Sequence, residues 1–249
     1  MVNYLKNIQN NDKMTAKEFK RSDKRKFNET RPITVKVGVI PNADGSALFA
    51  FGNTVAIAAV YGPRKLHPQH MQDPSTGVLR CNYDLLSFSV DERKKPGPSR
   101  RSQEISKVAG WSLEPVIDLE AFPSTVIDVQ IYILQADAGT RTAGINAASM
   151  ALAHAGIPMK DLVCSVAVGK LDKEFVVDLT KEEEDFEGGE GATDFAVAKL
   201  ANSEEFSLLQ MDGKIKPEQI TEILKLASDA CKKIYEAQKK ALKEAVIND

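Results

Sequence analysis

Four residues between a predicted strand and a predicted helix, Gly139-Thr140-Arg141-Thr142, have the side chains and the position to bind an anion. Backbone N–H groups at the start of a helix lack partners within the helix, and the helix dipole favours negative charge there. Two hydroxyls and a guanidinium would complete a cradle for phosphate. The alternative is that Thr142 only caps the helix and Arg141 points into solvent. The four residues leave both interpretations open.

Two basic stretches could contact the phosphates of a nucleic acid. Arg100 and Arg101 come just before a predicted helix, where adjacent arginines can each reach a different phosphate. The loop with the sequence RKLHPQH carries Arg64, His67 and His70 and has a similar character. Basic loops are more often solvated surface, so each stretch is also consistent with no binding role.

An acidic stretch could supply a metal ligand or a proton donor. Asp178 ends the strand-like segment EFVVDL, and Asp185 and Asp194 follow in a loop rich in glutamate. Clustered carboxylates bind a divalent cation or raise one another's pKa. The alternative is a solvated acidic loop. A phosphate cradle, paired arginines and carboxylates are together the groups that chemistry at a phosphodiester requires.

The elements that must position these groups alternate between strands and helices. Alternating or buried apolar runs predict strands within residues 34–61 and over 125–136, and a proline-broken loop follows the first of them. Three helices are predicted: one begins at Ser102, one directly follows the GTRT turn, and one covers about residues 217–246. Further strands are predicted at LVCSVAVGKL, EFVVDL, DFAVAKL and EFSLLQM. The order predicts an α+β fold of two similar β/α layers that ends in a long helix.

The composition conceals a segregation of charge. The 249 residues include 33 Lys+Arg and 35 Asp+Glu, a net charge of -2, which excludes a strongly basic histone-like protein and an acidic disordered chain. However, residues 1–31 and 91–101 are basic and residues 178–194 are acidic. No apolar run approaches the roughly 18 residues that span a bilayer. With three scattered cysteines, the sequence predicts a cytoplasmic protein with reduced thiols.

Four segments resemble the RNase PH-like family: YGPR, FSVDERKKPGPSRRSQEISKV, IDVQIYILQADAGTRTAGINAASMALAHAGIPMKDL and LLQMDGK. The sequence is most similar to the catalytic RNase PH-type subunits of archaeal exosomes, from about Arg21 to the C-terminal helix. The resemblance implies the RNase PH-like fold with mixed sheets. It also implies a single domain over residues 21–249, preceded by an N-terminal extension over residues 1–20.

The resemblance implies an activity and a role for each candidate residue. The activity is 3′-to-5′ phosphorolysis of RNA, in which inorganic phosphate is the co-substrate and nucleoside diphosphates are released, with RNA tailing as the reverse reaction. Asp178 and Asp185 would be the catalytic carboxylates, one donating a proton or both holding Mg²⁺. The remaining residues would bind phosphate (Gly139, Thr140, Arg141, Thr142) or RNA (Arg64, His67, His70, Arg100, Arg101).

The implied partners are single-stranded RNA, a related inactive RNase PH-like subunit and RNA-binding cap proteins. Three copies of each ring subunit would alternate in a hexamer. Two alternatives remain open at this point: a non-catalytic structural subunit that binds RNA, and a homohexameric RNase PH that trims tRNA 3′ ends.

The sequence departs from the family pattern at three places. Lys24 stands where the family motif Arg-x-Asp-Gly-Arg has glycine, and Gln69 replaces a frequent basic residue. The acidic loop is also longer than the usual Asp-x5-Asp spacing. The second essential carboxylate is therefore either Glu184 or Asp185, and the role of Asp194 is left open.

Overall fold

The computed structural model describes residue 21 and residues 23–92, 94–172, 174–185 and 191–248. The predicted N-terminal extension, residues 1–20, lies outside this part of the chain. The described residues form two β-sheets with helices packed against them, as the α+β prediction required. Within the described part of the chain, no helix is both long and apolar enough to cross a membrane.

The first sheet has five strands, β1 (Ile33–Val37), β2 (Gly45–Phe51), β3 (Thr54–Lys65), β4 (Val78–Leu85) and β5 (Thr125–Gln135). Their order is β1-β2-β3-β5-β4. The sheet is mixed because β4 runs parallel to β5 while the other pairs are antiparallel. Strand β4 comes from the stretch after the first predicted strands, which the sequence pattern had assigned to a loop.

The second sheet has four strands, β6 (Val163–Leu171), β7 (Glu174–Val177), β8 (Ala192–Leu200) and β9 (Phe206–Asp212). Their order is β7-β6-β8-β9, and every pair is antiparallel. All four strands lie in the segments for which the sequence predicts strands. The expected mixed pairing is therefore found in the first sheet, and the second sheet is antiparallel.

In the part of the chain that the structure describes, four α-helices connect and cover the sheets: α1 (Arg100–Leu113), α2 (Thr140–His154), α3 (Lys181–Glu184) and α4 (Pro217–Asn248). Helix α2 is buried on almost every side because it packs against β2, β3 and β5 of one sheet and against β6 of the other. Such a position requires small apolar residues all round the helix, which explains the alanine-rich sequence INAASMALA.

A buried polar network fixes helix α2 between its neighbours. Asn146 donates to the carbonyl of Ser165 on β6 at 2.6 Å and accepts from the Ser165 N–H at 2.8 Å. Gln238 on α4 donates to the same Asn146 side chain at 3.1 Å. Satisfied buried networks of this kind specify one packing arrangement. The N-terminus of α2 therefore has a fixed position relative to both sheets.

Candidate active site

A cavity of about 330 Å³ opens at the N-terminus of α2. Three stretches of chain form most of its wall: the loop between β4 and α1, the turn over residues 136–142 (the anion turn), and the loop over residues 178–185 (the acidic loop). Strands β6 and β8 close the base. The lining residues are Val90, Asp91, Glu92, Arg101, Ala136, Ala138, Gly139, Thr140, Arg141, Thr142, Ala167, Lys181, Glu184, Asp194 and Ala196. The cavity thus combines the predicted phosphate cradle with one member of the arginine pair.

The anion turn leaves the start of α2 without a side-chain cap. Gly139 is the N-cap residue, has a φ of 62°, and carries no side chain that could accept from the first-turn N–H groups. Thr142 does not cap them either, because its hydroxyl donates to the Gly139 carbonyl at 2.8 Å. The N–H groups and the positive end of the helix dipole are therefore available to an anion in the cavity.

Arg141 adds an unsatisfied donor to this site. Its Nε is buried and has no hydrogen-bond partner among the described residues. Leaving such a group unpaired costs about 1–3 kcal/mol, and more where the group is charged. An anion in the cavity would provide the missing acceptor. This observation favours the anion-site interpretation of the GTRT turn over the solvated-arginine interpretation.

Asp194 lies on β8 at the base of the cavity and is half-buried. Burial raises its pKa to about 6, and the negative charge of Glu184 acts in the same direction, while Arg141 and Arg101 oppose the shift. A carboxyl group that titrates near neutrality can donate a proton under physiological conditions. Of the carboxylates that the sequence analysis names, Asp194 therefore has the electrostatic surroundings of a proton donor.

Asp178, the first residue of the acidic loop, lies outside the cavity lining. It is 1% exposed, and its carboxylate accepts from the Arg31 backbone N–H at 2.7 Å, from Nε at 2.9 Å and from Nη2 at 2.7 Å. Arg25 Nη1 adds a contact at 3.4 Å. Because Asp178 is buried against Arg31 and does not line the cavity, the structure brings Asp194 rather than Asp178 to the cavity.

Helix α3 presents the other charged groups of the acidic loop. Thr180 and Glu183 form a capping box that starts this short helix. Lys181 and Glu184 line the cavity, while Asp185 is exposed and pairs with Lys181 at 2.8 Å. The sequence analysis did not name Lys181. Its only sequence signal is a lone basic residue at the start of an acidic run.

The two arginines of the basic pair differ in position. Ser99 and Ser102 form a capping box, so α1 begins at Arg100. Both side chains are exposed, and Arg101 lines the cavity whereas Arg100 does not. The preceding loop also contributes Asp91 and Glu92, two carboxylates that the sequence analysis did not identify.

Arg64, His67 and His70 are not brought to the cavity. Arg64 is on β3 opposite Val126, and β5 runs ten residues from there to the anion turn, on the order of 30 Å. Its guanidinium lies 5.2 Å from the centroid of the Tyr61 ring and bonds to Asp44 at 3.2 Å. His67 and His70 are exposed in the loop that follows. These residues form a separate surface.

Whether the cavity can bind a divalent cation depends on the carboxylates that face it. Among the described residues, no group of three or more His, Cys, Asp or Glu side chains could hold a metal ion. Mg²⁺, however, commonly takes one or two protein carboxylates and completes its shell with water and substrate phosphates. Glu184 and Asp194 meet that requirement, and Asp178 does not because its oxygens are already bonded to Arg31.

Comparison with known families gives two matches along the chain. The family model described as "3′ exoribonuclease family, domain 1" matches residues 29–158. The model described as "3′ exoribonuclease family, domain 2" matches residues 161–230. The boundary between the two falls between α2 and β6, where the chain passes from the first sheet to the second.

Curated relatives cover nearly the same length. The chain is 53% identical over 232 residues to the exosome complex component Rrp41 of Thermococcus kodakarensis, covering 93% of this chain and 92% of that protein. It is 47% identical over 233 residues to the Rrp41 of Methanopyrus kandleri, covering 94% and 96%.

Solved structures show the same fold at lower sequence identity. Rice (Oryza sativa) Rrp46 superposes with a TM-score of 0.79 at 22% identity, covering 90% of this chain and all of that one. A chain of the Archaeoglobus fulgidus exosome with RNA bound to the active site gives 0.74 at 22% identity, covering 94% and 95%. At this identity the likeness concerns the fold alone.

Proposed function

The chain belongs to the 3′ exoribonuclease (RNase PH) family, and on that premise we propose that it is the catalytic subunit of an exosome-type ring. It degrades RNA from the 3′ end by phosphorolysis and adds 3′ tails in the reverse direction. The observation that carries this proposal is the buried Nε of Arg141, which has no partner among the residues described, beside the N-terminus of α2 and in one cavity with Asp194.

Inorganic phosphate is the nucleophile in this mechanism. The anion turn holds it through the first-turn N–H groups of α2, the Thr140 hydroxyl and the Arg141 guanidinium. No activated serine or cysteine is required because the attacking oxygen comes from the bound phosphate. The protein supplies position and neutralises negative charges that would otherwise repel each other.

Asp194 protonates the leaving group. Attack forms a bond between phosphate and the terminal phosphorus, and the bond from that phosphorus to the 3′ oxygen of the preceding nucleotide breaks. The proton of Asp194 goes to that oxygen, so the products are a nucleoside diphosphate and a shorter RNA. The raised pKa of Asp194 supports this role, because burial favours the protonated form.

The arginine pair binds phosphates of the RNA near its 3′ end. Arg101 lines the cavity and suits the scissile phosphate, while the exposed Arg100 suits a phosphate further along the strand. Contacts to phosphate do not read sequence and weaken as salt rises. Arg64, His67 and His70, at a distance on the order of 30 Å along the sheet, suit RNA that has not yet reached the cavity.

Mg²⁺ is the proposed cofactor. Glu184 faces the cavity and would hold it together with water and substrate phosphate oxygens, while Asp194 remains the proton donor. When bound, the ion would neutralise charge on the phosphates during transfer. Asp185, which is exposed and paired with Lys181, would keep that lysine oriented rather than bind the ion.

The proposed assembly follows from the relatives, which are named as exosome complex components. The chain would alternate with a related, inactive RNase PH-like subunit in a hexameric ring, to which RNA-binding cap proteins attach. The proposed compartment is the cytoplasm.

The test uses the full chain, alone and assembled with its ring partner, with 5′-labelled oligo-A, Mg²⁺ and inorganic phosphate. We expect the RNA to shorten from its 3′ end one nucleotide at a time, with one ADP released per step and no AMP. Omitting phosphate should stop the reaction, whereas adding ADP in excess should lengthen the RNA.

A test variant and a matched control complete the activity assay. Asp194→Asn should abolish ADP release, while Asp229→Asn, a carboxylate on the exposed face of α4, should leave it unchanged. Release of AMP instead of ADP would mean hydrolysis and would overturn the phosphorolytic mechanism. If the assembled ring releases no ADP, the catalytic role is overturned. The chain would then be a non-catalytic structural subunit that binds RNA.

A further inference from the structure

The cavity depends on two loops that come from different parts of the fold. The anion turn connects β5 of the first sheet to α2, and the acidic loop follows β7 of the second sheet. The anion turn carries the groups proposed to bind phosphate, and the acidic loop supplies Glu184 and Lys181. The separation of these loops therefore decides whether the reacting groups meet.

Arg31 contacts both loops with a single guanidinium. Its Nε and Nη2 bind the two carboxylate oxygens of Asp178 at 2.9 and 2.7 Å, at the start of the acidic loop. Its Nη1 donates to the carbonyl of Asp137 in the anion turn at 2.5 Å. The Arg31 side chain is only 6% exposed, so water does not compete for these bonds.

Neighbouring contacts hold each loop as a unit around Arg31. In the anion turn, the buried Thr54 hydroxyl bonds to the carbonyls of Asp137 and Ala138 at 2.8 and 2.7 Å. In the acidic loop, Arg21 binds both oxygens of Glu183 at 2.8 and 2.9 Å. Each loop therefore has its own internal support. The buried bridge between them consists of Arg31, reinforced at the surface by the Lys181 N–H, which donates to Asp137 Oδ1 at 3.1 Å.

We propose that Arg31 is a positioning residue that sets the distance between the anion turn and the acidic loop, with Asp178 as its anchor. The inference rests on the proposed function, since it assigns Arg31 a part in that same reaction. It also gives Asp178 a physical role that needs no contact with substrate. The distance between the two loops matters for catalysis because a displacement of about 1 Å between reacting groups can lower a rate about 100-fold.

Lysine cannot replace arginine in this bridge. A guanidinium has five donors in a rigid planar fork and can bind a carboxylate with one edge while its remaining Nη reaches a second acceptor. An ammonium carries its three donors on one nitrogen, so it cannot span both Asp178 oxygens and the Asp137 carbonyl as the fork does. The Arg31→Lys variant therefore keeps the positive charge beside the buried Asp178 and loses the simultaneous contact with both loops.

The experiment compares Arg31→Lys with wild type and with Arg80→Lys in the full chain assembled with its ring partner. Arg80 forms a similar two-bond pair with Asp128, but on the exposed face of the first sheet. We expect Arg31→Lys to lower kcat about 30- to 100-fold, with less than a threefold change in the Kd for inorganic phosphate. Arg80→Lys should change neither. Assays are made at a temperature where circular dichroism shows all three proteins folded.

A second variant keeps the proposal testable if Arg31→Lys does not fold. Asp178→Asn removes one charge and leaves Arg31 on the Asp137 carbonyl, so we expect about a tenfold loss of kcat with phosphate binding retained. Complete loss of activity in Asp178→Asn, equal to that of Asp194→Asn, would make Asp178 a catalytic residue and overturn the proposal. Unchanged kcat in Arg31→Lys, or an equal loss of kcat and phosphate affinity, would overturn it as well. A wild-type ring that releases no ADP would instead overturn the proposed function.

Discussion

The phenol of Tyr83 donates a hydrogen bond to the hydroxyl of Thr140, with 2.9 Å between the two oxygens. Tyr83 is 1% exposed, and burial raises its pKa to about 12, so it remains a donor throughout the physiological pH range. A hydroxyl that accepts one bond still has its own hydrogen to donate. Tyr83 thereby fixes the Thr140 oxygen and leaves its hydrogen for an anion in the cavity.

Tyr83→Phe tests this orientation while preserving the buried ring. We expect the KM for inorganic phosphate to rise about fivefold, which corresponds to the roughly 1 kcal/mol of one neutral hydrogen bond, with little change in the KM for RNA. Steady-state ADP release at varied phosphate measures the effect. Tyr132→Phe, at a half-buried tyrosine on β5, is the control. An unchanged phosphate KM together with a lowered melting temperature would reduce Tyr83 to a packing role.

Arg141→Met should separate binding from stability. Because Arg141 Nε is buried without a partner, its removal takes away an unsatisfied donor, and we expect the free energy of unfolding to stay level or rise by up to about 1 kcal/mol. The KM for phosphate should rise about 10- to 100-fold, since a charge-assisted bond is lost. Urea unfolding and phosphate titration measure the two quantities. A clear loss of stability with normal phosphate binding would contradict the anion site.

The anion turn could be predicted from sequence because all its groups are contiguous. Gly139 to Thr142 follow a strand and form the start of a helix, where unpaired N–H groups favour an anion. The carboxylates could not be assigned in the same way. Asp178 follows β7 and adopts a φ of 55°, and its side chain lies against Arg31, about 150 residues earlier in the chain. That pairing depends on tertiary packing and leaves no local sequence signal.

Strand β4 was missed although its sequence carries a local signal. Its residues, VLRCNYDL, alternate between apolar and polar from Leu79 to Leu85, with Tyr83 as the fully buried side chain, but they follow a proline-containing loop and were included in it. The strand forms because β5 offers a parallel edge along its whole length. Consequently, the loop from β4 to α1 reaches the cavity, where it places Asp91 and Glu92, and the first turn of α1 places Arg101.

The pH dependence of kcat should report the protonation of Asp194. Its pKa is raised to about 6, so the proton-donating form decreases above that pH. Bound phosphates add negative charge and move the pKa further up. We therefore expect kcat to fall about tenfold per pH unit on a limb that begins at pH 6 or above. Asp178→Asn should keep this limb. A kcat that rises with pH through this range would make the ionised carboxylate the active form.

Asp194 should also lower the stability of the folded protein at neutral pH. Its pKa is about 6 in the fold against 3.8 in the unfolded chain, so the folded state binds the proton more tightly. The ionisation penalty is absent below pH 3.8, grows as pH rises, and is complete above about pH 6, where it reaches about 3 kcal/mol. Asp194→Asn should raise the free energy of unfolding at pH 7.5 and raise it less at pH 5. Asp229→Asn is the exposed control, and an equal effect at both pH values would contradict the assignment.

Lys24 occupies a backbone conformation that suits glycine. It has a φ of 63°, at the position where the family motif Arg-x-Asp-Gly-Arg carries glycine, and a side chain in this region costs about 1 kcal/mol. Lys24→Gly should therefore raise the free energy of unfolding by about 0.5 to 1 kcal/mol, measured by urea denaturation. Lys26, a nearby exposed lysine outside the positive-φ region, is the matched control, and Lys26→Gly should lower it by a similar amount. Equal losses in both variants would mean that the left-handed turn at residue 24 carries no strain.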